Sequence, residues 1–393
     1  MKEKIIIHVD VNNAFLSWTA VYLLQNGYKK DIRNIYAIIG GDETQRRGIV
    51  LAKSNPCKKN NVITGETIKS ARKKCPYLEI YSPNYELYKT YSNLMYKYLQ
   101  TYTNKIERYS IDECFLDYTT SQKQFGPPIK IAHKIKEDIK NMYGFTVNVG
   151  IGNNKLCAKM ASDFQKPDKV HTLFTNEIPI KMWPLPVEDL FMIGKKTSQK
   201  LKEQNITTIY TLAHTSEEYL IKKFGKFGIL MWQYANGIDN SEVEYTTRNP
   251  KSISASTVLP YNYTDINSIN NVIYKLAEEV TTKLKNKNMY ASNISIWIKY
   301  PNFTKISKQI KLNNYVNTPL EIYNYAKELF IKTWNEEPIR AICVGINNLS
   351  YDKNIQLSLF ISNEENEKNE KLKKTINNIN KKYGKNTITY AKK

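Results

Sequence analysis

The hydrophobic pattern of the chain begins with a short apolar run that ends at an acidic residue. Residues 5–9 are nearly all apolar β-formers, which predicts a central strand buried on both faces. Asn12 or Asn13 can cap the helix that the pattern predicts over residues 14–20. Because ligands bind at the carboxyl ends of strands in α/β sheets, Asp10 at the end of the run is a candidate site residue.

Helical periodicity marks three later segments in this half of the chain. Apolar residues recur at steps of three and four in residues 84–102, 131–142 and 156–164, which predicts three amphipathic helices. Residues 147–151 are predicted to form a second buried strand. The order strand, hairpin, helix, strand, helix predicts an α+β unit with helices on one side of a sheet.

A second, more regular pattern begins near residue 252. Strands are predicted over residues 252–259, 292–300, 306–312 and 341–346, with helices over residues 268–284 and 320–334. This β-α-β-β-α-β order predicts a compact four-stranded module. The other segments are an inserted subdomain with short strands (21–82), short helices broken by glycines (174–240), a polar linker (241–250) and a charged tail (361–393).

Three carboxylates supply the candidate chemistry. Asp112 and Glu113 stand side by side in an apolar setting, far along the chain from Asp10. Buried carboxylates repel one another unless a cation lies between them, and oxygen ligands suit Mg²⁺. Two divalent ions held in this way can clamp the attacking and leaving oxygens of a phosphoryl transfer. Since neighbouring strand residues point to opposite faces, a turn or bulge must bring both side chains to one metal pair.

The composition adds a strong positive charge. The chain has 393 residues, with 58 Lys and Arg against 37 Asp and Glu, and its formal net charge is +21. This excess attracts polyanions, among which nucleic acid is the first candidate. The alternative is compositional drift, since an AT-rich genome would also enrich Lys, Asn, Ile and Tyr.

Cysteine and histidine usage argues against a zinc site or a disulfide framework. The five cysteines form no C-x-x-C pair, and the four histidines are scattered. Structural or surface roles are predicted for all the histidines, which are His8, His133, His171 and His214. Reduced thiols predict a cytoplasmic protein. The N-terminal apolar run is too short for a signal peptide or a membrane span, and no later run is long enough.

Three groups of residues stand in a characteristic order along the first half of the chain. They are Asp10-Val11-Asn12 followed by Phe15, then Ser110-Ile111-Asp112-Glu113, and then residues 149–155 leading to Ala158-Lys159 and Lys166-Pro167. Together they resemble the motifs of the Y-family translesion DNA polymerases, the DinB/UmuC group. The resemblance covers residues 1–360.

This resemblance implies an α+β multidomain fold shaped as a right-hand polymerase. Its parts would be a ferredoxin-like palm (1–20 and 83–173), small fingers (21–82), a helical thumb with a helix-hairpin-helix turn (174–240) and a β-α-β-β-α-β little finger (250–360). The implied activity is template-directed, low-fidelity DNA synthesis on a primer-template, with a dNTP as substrate. It would use two Mg²⁺ ions, for which Mn²⁺ can substitute. A monomer without membrane attachment is expected.

The resemblance also implies roles around the reacting nucleotide. The metal ligands would be Asp10, the main-chain oxygen of Val11, Asp112 and Glu113. Phe15 takes the steric-gate position, where a ring excludes a ribose 2′-hydroxyl, and Lys166 would contact the triphosphate. Asn55 and Lys58 take positions where many relatives carry a Tyr and an Arg, so a bidentate guanidinium contact is lost.

Contacts with DNA are implied in three places. Lys155 would touch the DNA backbone. A helix-hairpin-helix turn, with Met192 in place of its usual first glycine, would offer main-chain N–H groups to a phosphate. Its residues are Gly194, Lys195 and Lys196, and the residues expected to grip the duplex from the little finger are Lys251, Ser252, Lys308 and Lys311.

A peptide near the end of the little finger resembles the bacterial sliding-clamp motif. Gln356 would hydrogen-bond at the rim of the clamp pocket, while apolar side chains fill its subsites. Those side chains are Leu357, Leu359 and Phe360. The alternative is that residues 356–360 form an edge strand of the little finger.

Two other functions use some of the same features. A different palm-type nucleotidyl enzyme, such as a cyclase, would need the carboxylates but neither the thumb turn nor the clamp peptide. A non-catalytic DNA-binding subunit of a repair complex would need the positive charge but not the complete carboxylate set. A primer-template assay with Mg²⁺ and each deoxynucleotide separates the three.

Overall fold

The computed structural model describes residues 3–44, 46, 48–246, 249–352 and 375. The chain divides into two compact units, Met1–Arg248 and Asn249–Lys393, and the division falls within the predicted linker 241–250. Within the described residues, no helix combines the length and the apolar character that crossing a membrane requires. All five cysteines are buried as free thiols.

The first unit contains three kinds of segment: a central sheet, a small second sheet, and a group of short helices. Its strands are β1 (Ile6–Val11), β2 (Ala37–Gly40), β3 (Val50–Lys53), β4 (Glu79–Tyr81), β5 (Ile106–Arg108), β6 (Glu113–Asp117), β7 (Val147–Gly152) and β8 (Val170–Leu173). Its helices are α1 (Ala14–Gln25), α2 (Asn55–Lys59), α3 (Ile68–Lys74), α4 (Tyr85–Leu99), α5 (Gln122–Phe125), α6 (Pro128–Tyr143), α7 (Lys155–Asp163), α8 (Ile178–Lys181), α9 (Lys195–Lys202), α10 (Ile209–Ala213), α11 (Glu217–Phe224) and α12 (Lys226–Ala235).

Strand β1 lies in the middle of the central sheet, whose order is β5-β6-β1-β7-β8. It runs antiparallel to β6 and β7, and all six of its residues are buried, as the continuous apolar run predicts. The register places Asp10 opposite Glu113 on one side and opposite Asn148 on the other. Two remote parts of the sequence therefore meet at the end of β1.

Helices cover both faces of this sheet, so the prediction of helices on one side is wrong. Ile7, Val9 and Val11 pack with α1, α4 and α6 in one hydrophobic cluster. The alternate residues of β1 face α7, where Ile6 packs against Ala158. A strand that is apolar on both faces needs cover on both, which explains why α7 lies on the second one.

Helix α1 begins at the predicted place but without the predicted cap. Asn13 occupies the N-cap position in a left-handed conformation with φ 50°, and its side chain makes no capping hydrogen bond. Its amide instead donates to the main-chain oxygen of Lys53 at 2.5 Å. Asn13 therefore ties the start of α1 to strand β3 of the small sheet.

Gly150 allows α7 to lie directly against β7. A Cβ at residue 150 would lie 2.0 Å from the main-chain oxygen of Ala158 and 2.4 Å from the nitrogen of Ser162. Since backbone atoms yield little, we expect Gly150→Ala to lower the free energy of unfolding by about 3 kcal/mol. Thermal unfolding beside Gly194→Ala, where no atom lies within 4 Å of the added Cβ, is the measurement. Equal melting temperatures would contradict this account.

The small sheet has the order β3-β2-β4 and lies in the segment predicted to be an inserted subdomain. Ser54 caps α2 by accepting from the nitrogen of Cys57, and Thr67 caps α3 in the same way. The short helices α8–α12 share a separate cluster that includes Leu201, Leu212 and Leu220. The boundaries of palm, fingers and thumb remain predictions.

The second unit has the predicted β-α-β-β-α-β order. Its elements are β9 (Ser252–Tyr263), α13 (Ile266–Lys285), β10 (Tyr290–Lys299), β11 (Lys305–Val316), α14 (Pro319–Thr333) and β12 (Ile339–Ser350). The sheet order is β11-β10-β12-β9, and both helices pack on one of its faces. Ile294, Ile296 and Ile298 are buried under the helices, whereas the alternate residues Ser295, Trp297 and Lys299 on the other face are partly exposed.

Candidate active site

The three predicted carboxylates meet at one edge of the central sheet. Asp10 lies near the end of β1, opposite Glu113 at the start of β6. Asp112 precedes β6 in the tight connection from β5, and its main-chain oxygen accepts a hydrogen bond from the nitrogen of Val11 at 3.0 Å. Because Asp112 lies in a turn rather than in the strand, it and Glu113 can both face one site, as the sequence requires.

Two lysine ammonium groups lie among these carboxylates. Lys159 Nζ is 3.2 Å from Asp10 Oδ2 and 3.1 Å from Glu113 Oε2. Lys166 Nζ is 2.7 Å from the same oxygen of Asp10, and both lysines also reach Asp163, at 3.3 and 2.8 Å. Burial opposes the charge of Lys159, but Asp10, Asp163 and Glu113 outweigh it and raise its pKa. In this structure the ammonium groups of Lys159 and Lys166 neutralise the charges of Asp10 and Glu113.

Their surroundings shift the pKa values of the neighbouring acids Asp112 and Glu113 in opposite directions. Burial raises the pKa of Asp112, and the charges of Asp10 and Glu113 add to this effect. Burial also acts on Glu113, but the hydrogen bond from His8 and the charge of Lys159 outweigh it and lower its pKa to about 2. A divalent cation beside Asp112 would relieve the repulsion that raises its pKa. The oxygen ligands and the excess of negative charge around Asp112 therefore fit a divalent metal ion.

His8 lies directly behind these acids and was not predicted to be near a functional site. Its ring is fully buried, with Nε2 3.2 Å from Glu113 Oε2 and Nδ1 2.8 Å from Ser162 Oγ. Burial lowers the pKa of His8, although the hydrogen bond to Glu113 opposes this effect. The ligand atoms of His8, Asp10 and Glu113 lie within 4.8 Å of one another. The sequence did contain a signal for the position of His8, because side chains alternate along a strand and His8 therefore shares a face of β1 with Asp10.

A cavity of about 620 Å³ opens beside the carboxylates, within the size range of small-molecule sites. It brings together all of the residues that the resemblance placed around the nucleotide, which are Asp10, Val11, Phe15, Asn55, Lys58, Asp112, Glu113 and Lys166. It is also lined by Lys53, Thr64 and Lys159, which the sequence did not single out as site residues. We refer to this space as the active-site cavity.

Phe15 is a rigid part of the cavity wall. Its ring stacks on Tyr88 with centroids 4.5 Å apart and planes inclined by 7°. The edge of Tyr85 adds a second contact at 6.1 Å. A side chain held between two rings keeps its position when a ligand approaches, which a steric gate requires.

The part of the wall formed by the small sheet and α2 carries positive charge. Lys53 at the end of β3 and Lys58 on α2 both line the active-site cavity. Burial lowers the pKa of Lys53, and the charge of Lys58 lowers it further. Two ammonium groups that destabilise each other in this way favour an anion between them.

Asn12 holds the loop that presents Lys166. Its Oδ1 accepts hydrogen bonds from the nitrogen of Asp168 at 2.9 Å and from Thr146 Oγ1 at 3.0 Å. Its amide nitrogen donates to Asn148 at 3.1 Å. Asn12 therefore positions the wall of the cavity rather than capping α1.

Lys155 lies away from the cavity in a buried ion pair. Its ammonium is 2.7 Å from Glu107 Oε2, and its side chain is only 12% exposed. The same ammonium donates to the main-chain oxygen of Glu242 at 3.5 Å. The predicted contact between Lys155 and DNA would require this pair to open.

In the predicted helix-hairpin-helix turn, Met192 adopts a backbone conformation that is usual for the glycine it replaces. Met192 has a φ of 75°, the left-handed conformation that usually favours glycine. Gly194 is the N-cap of α9, which begins at Lys195 and continues through Lys196. Contact between this turn and a phosphate remains a prediction.

Lys308 and Lys311 lie on opposite faces of the sheet of the second unit, and their contact with a DNA duplex remains a prediction. Lys311 pairs with Asn293, whereas Lys308 pairs with Ile296, which is buried under the helices. An odd separation along a strand reverses the side of the sheet. The face of Lys311 also carries Lys305, whose ammonium lies 4.5 Å from the ring centroid of Trp297.

Two further contacts were predicted in the second half of the chain. Lys251 immediately precedes β9, and Ser252 is its first residue. Residues 356–360, the predicted clamp peptide, lie outside the described residues. Both the DNA contact and the clamp contact remain predictions.

Family comparisons cover most of the chain. The impB/mucB/samB family matches residues 9–163, and the C-terminal domain of that family matches residues 250–359. DNA polymerase IV of Clostridium acetobutylicum is 45% identical over 386 residues, covering 98% of this chain and 97% of that protein. DNA polymerase IV 2 of Bacillus subtilis is 34% identical over 368 residues, covering 92% and 88% respectively.

Solved structures share the fold. A chimera of the Y-family DNA polymerases Dbh and Dpo4 has a TM-score of 0.76 at 23% identity, covering 88% of this chain and 100% of that chain. An insertion ternary complex of Dbh DNA polymerase has a TM-score of 0.62 at the same identity and coverage. The fold is thus that of a Y-family polymerase, and the predicted fold class is confirmed. The chain belongs to the impB/mucB/samB family, and the predicted enzyme class, a DNA-directed DNA polymerase, is confirmed with it.

Proposed function

We propose that the chain carries out low-fidelity translesion synthesis by nucleotidyl transfer from a dNTP to a primer 3′-hydroxyl, with release of pyrophosphate. The observation that carries the proposal is the convergence of Asp10, Asp112 and Glu113 on one side of the active-site cavity. Family membership supports both the reaction and the expectation of lesion bypass. It also sets aside the cyclase, while the complete carboxylate set argues against a non-catalytic subunit.

Two Mg²⁺ ions would be held by the three carboxylates and the main-chain oxygen of Val11. Bound there, they would favour attack by the 3′-hydroxyl and departure of pyrophosphate. Before they bind, Lys159 keeps Asp10 and Glu113 close together despite their like charges. Lys159 therefore organises the carboxylates in advance.

The triphosphate would lie between the two sets of lysines. Lys166, which contacts Asp10 in this structure, would exchange that carboxylate for a phosphate oxygen. Lys58 and Lys53 would contact the phosphates from the part of the wall formed by the small sheet and α2 and supply the charge that the missing arginine provides in many relatives. The sugar would rest against Phe15.

We expect Lys58→Ala to raise the KM for dNTP by about tenfold while changing kcat less, because one charge-assisted phosphate contact is worth roughly 1.5–3 kcal/mol. Lys53→Ala should act in the same direction. The matched control is Lys59→Ala, since Lys59 is the next residue of α2 but does not line the cavity. Steady-state insertion of a single nucleotide is the measurement. An equal KM for the Lys58 and Lys59 variants would contradict the assignment.

A primer-template assay tests the proposed function as a whole. The purified chain should extend a primer in the presence of Mg²⁺ and the deoxynucleotide that the template specifies. Binding of DNA without extension would instead indicate a non-catalytic subunit. Use of a nucleotide without regard to the primer would indicate another nucleotidyl enzyme.

The remaining assignments belong to the same proposal. Phosphate contacts from the thumb turn and the little finger should make DNA binding independent of sequence and strongly dependent on salt. A sliding clamp bound through residues 356–360, a monomeric state and a cytoplasmic location complete the expected setting.

A further inference from the structure

His8 makes contacts that the proposed mechanism does not use. It lies two residues before Asp10 on the face of β1 that packs against α7. Its ring is fully buried and lies 4.4 Å from the ring of Phe115, measured between centroids. Both of its nitrogens have polar partners, Glu113 on one side and Ser162 on the other. A polar ring at such a depth is held in one orientation by these partners.

The hydrogen bonds fix the position of one hydrogen. An ionised carboxylate can only accept, so Nε2 of His8 must donate to Glu113. Nδ1 lies 2.8 Å from Ser162 Oγ, a second polar contact on the other side of the ring. The Ser162 hydroxyl itself donates to the main-chain oxygen of Lys159 at 2.7 Å, which fixes its position within α7. The contact with Ser162 therefore holds the ring in place, while the contact with the Glu113 carboxylate requires the hydrogen on Nε2.

These contacts orient the carboxylate of Glu113. His8 and Lys159 both reach Oε2, at 3.2 and 3.1 Å. Within the described part of the chain, these are the partners of that carboxylate, so Oε1 remains available for a cation. In metal sites, a carboxylate ligand is typically oriented by a neighbouring residue that hydrogen-bonds to it, and this contact tunes the affinity for the metal.

We infer that His8 is a positioning residue of the proposed metal site. Ser162 holds the imidazole ring in place, and the Nε2–H group of His8 holds Glu113 in the orientation that presents Oε1 to the metal ion. The inference rests on the proposed role of Glu113 as a metal ligand.

Two other roles for the same residues disagree with the structure. Serine, histidine and glutamate in series have the composition of a hydrolase triad, but Ser162 and His8 are fully buried, so no substrate can reach the hydroxyl. Direct ligation by His8 would need a lone pair on Nε2, where the contact with Glu113 requires a hydrogen.

A pair of substitutions separates the contact with Glu113 from that with Ser162. In His8→Gln the amide nitrogen can reach the position of Nε2 and donate to Glu113. In His8→Asn the shorter amide reaches only the position of Nδ1, beside Ser162. Both place a neutral amide in the same buried space, so they differ chiefly in which contact remains.

The first measurement is Mn²⁺ binding to the full chain, followed by the electron paramagnetic resonance signal of free Mn²⁺. We expect His8→Asn to weaken Mn²⁺ binding about tenfold, which is the lower end for loss of a partner behind a metal ligand, and His8→Gln to weaken it much less. The Mg²⁺ concentration for half-maximal insertion should shift in parallel. Equal Mn²⁺ affinity in wild type and His8→Asn would overturn the inference, and so would equal losses in both variants.

The second measurement is made on wild-type protein, and a variant serves only to assign its signals. Nitrogen-15 spectra of histidine-labelled wild-type protein report which ring nitrogen carries hydrogen, and His8→Gln identifies the signals of His8. Hydrogen on Nε2 is expected, and a bare Nε2 would overturn the inference. Wild-type protein that binds Mn²⁺ but does not extend primers would count against the proposed function instead. If the wild-type protein extends primers and His8→Asn binds Mn²⁺ as tightly as wild type, only the proposed role of His8 is contradicted.

Discussion

Asp112→Asn and Glu113→Gln are each expected to abolish primer extension, with a loss of at least about 10³-fold in rate, because a metal ligand contributes several kcal/mol of transition-state stabilisation. Both substitutions keep the shape of the side chain and remove its charge. Extension of a labelled primer measures the loss, and fluorescence anisotropy should show DNA affinity close to that of wild type.

The two variants should differ in stability. Burial and neighbouring charges raise the pKa of Asp112, so its ionised form opposes folding and Asp112→Asn should keep or raise the melting temperature. Glu113 has a pKa lowered to about 2, which means that its charge stabilises the fold. Glu113→Gln should therefore lower the melting temperature while Asp112→Asn does not.

A matched control, Asp117, lies at the other end of β6, the strand that begins at Glu113. Asp117 pairs in register with Ile6 rather than with Asp10, and its carboxylate is 3.7 Å from Lys105. Asp117→Asn should extend primers at the wild-type rate. If Asp112→Asn also extended at that rate, the carboxylates could not be the metal ligands, and the proposed mechanism would be lost.

Phe15→Ala is expected to raise insertion of ribonucleotides relative to deoxyribonucleotides by roughly 100-fold, since steric exclusion by a side chain is worth about 1–3 kcal/mol or slightly more. The ring lines the active-site cavity and is held flat against Tyr88. Removing it leaves space where a 2′-hydroxyl can fit. The ratio of kcat/KM for the two sugars is the measurement.

Tyr88, which stacks on the ring of Phe15, provides the controls. Tyr88→Phe keeps the stacked ring and loses only the hydroxyl contact with Thr19 at 3.1 Å, so sugar discrimination should not change. Tyr88→Leu removes the flat partner and should give an intermediate loss. Unchanged discrimination in Phe15→Ala would show that the ring is a core residue and not a gate.

The elements of this fold follow closely from local pattern. The buried strand β1, the amphipathic helices α4 and α6, and the order of the second unit all lie where the periodicity places them. Periodicity depends on neighbours a few residues apart, which is why it can be read without knowing the fold. Boundaries shifted by a few residues where pairing extended a strand, as in β11.

Contacts between remote segments could not be found in this way. The helix α7 covers the second face of the sheet, and this decides that Lys159 lies between Asp10 and Glu113. Strand register decides that Lys308 and Lys311 face opposite ways. Both depend on the pairing of one element with another, which a local pattern does not contain.

Residue type and spacing were sufficient to predict the order of helices and strands, the three carboxylate ligands and the excess of positive charge. The tertiary structure alone decided which cations and which histidine meet those ligands. His8 has an apolar setting in the sequence, and only the pairing of β1 with β6 and the packing of α7 bring it against Glu113 and Ser162. Such contacts arise from register and close packing between elements that are far apart along the chain.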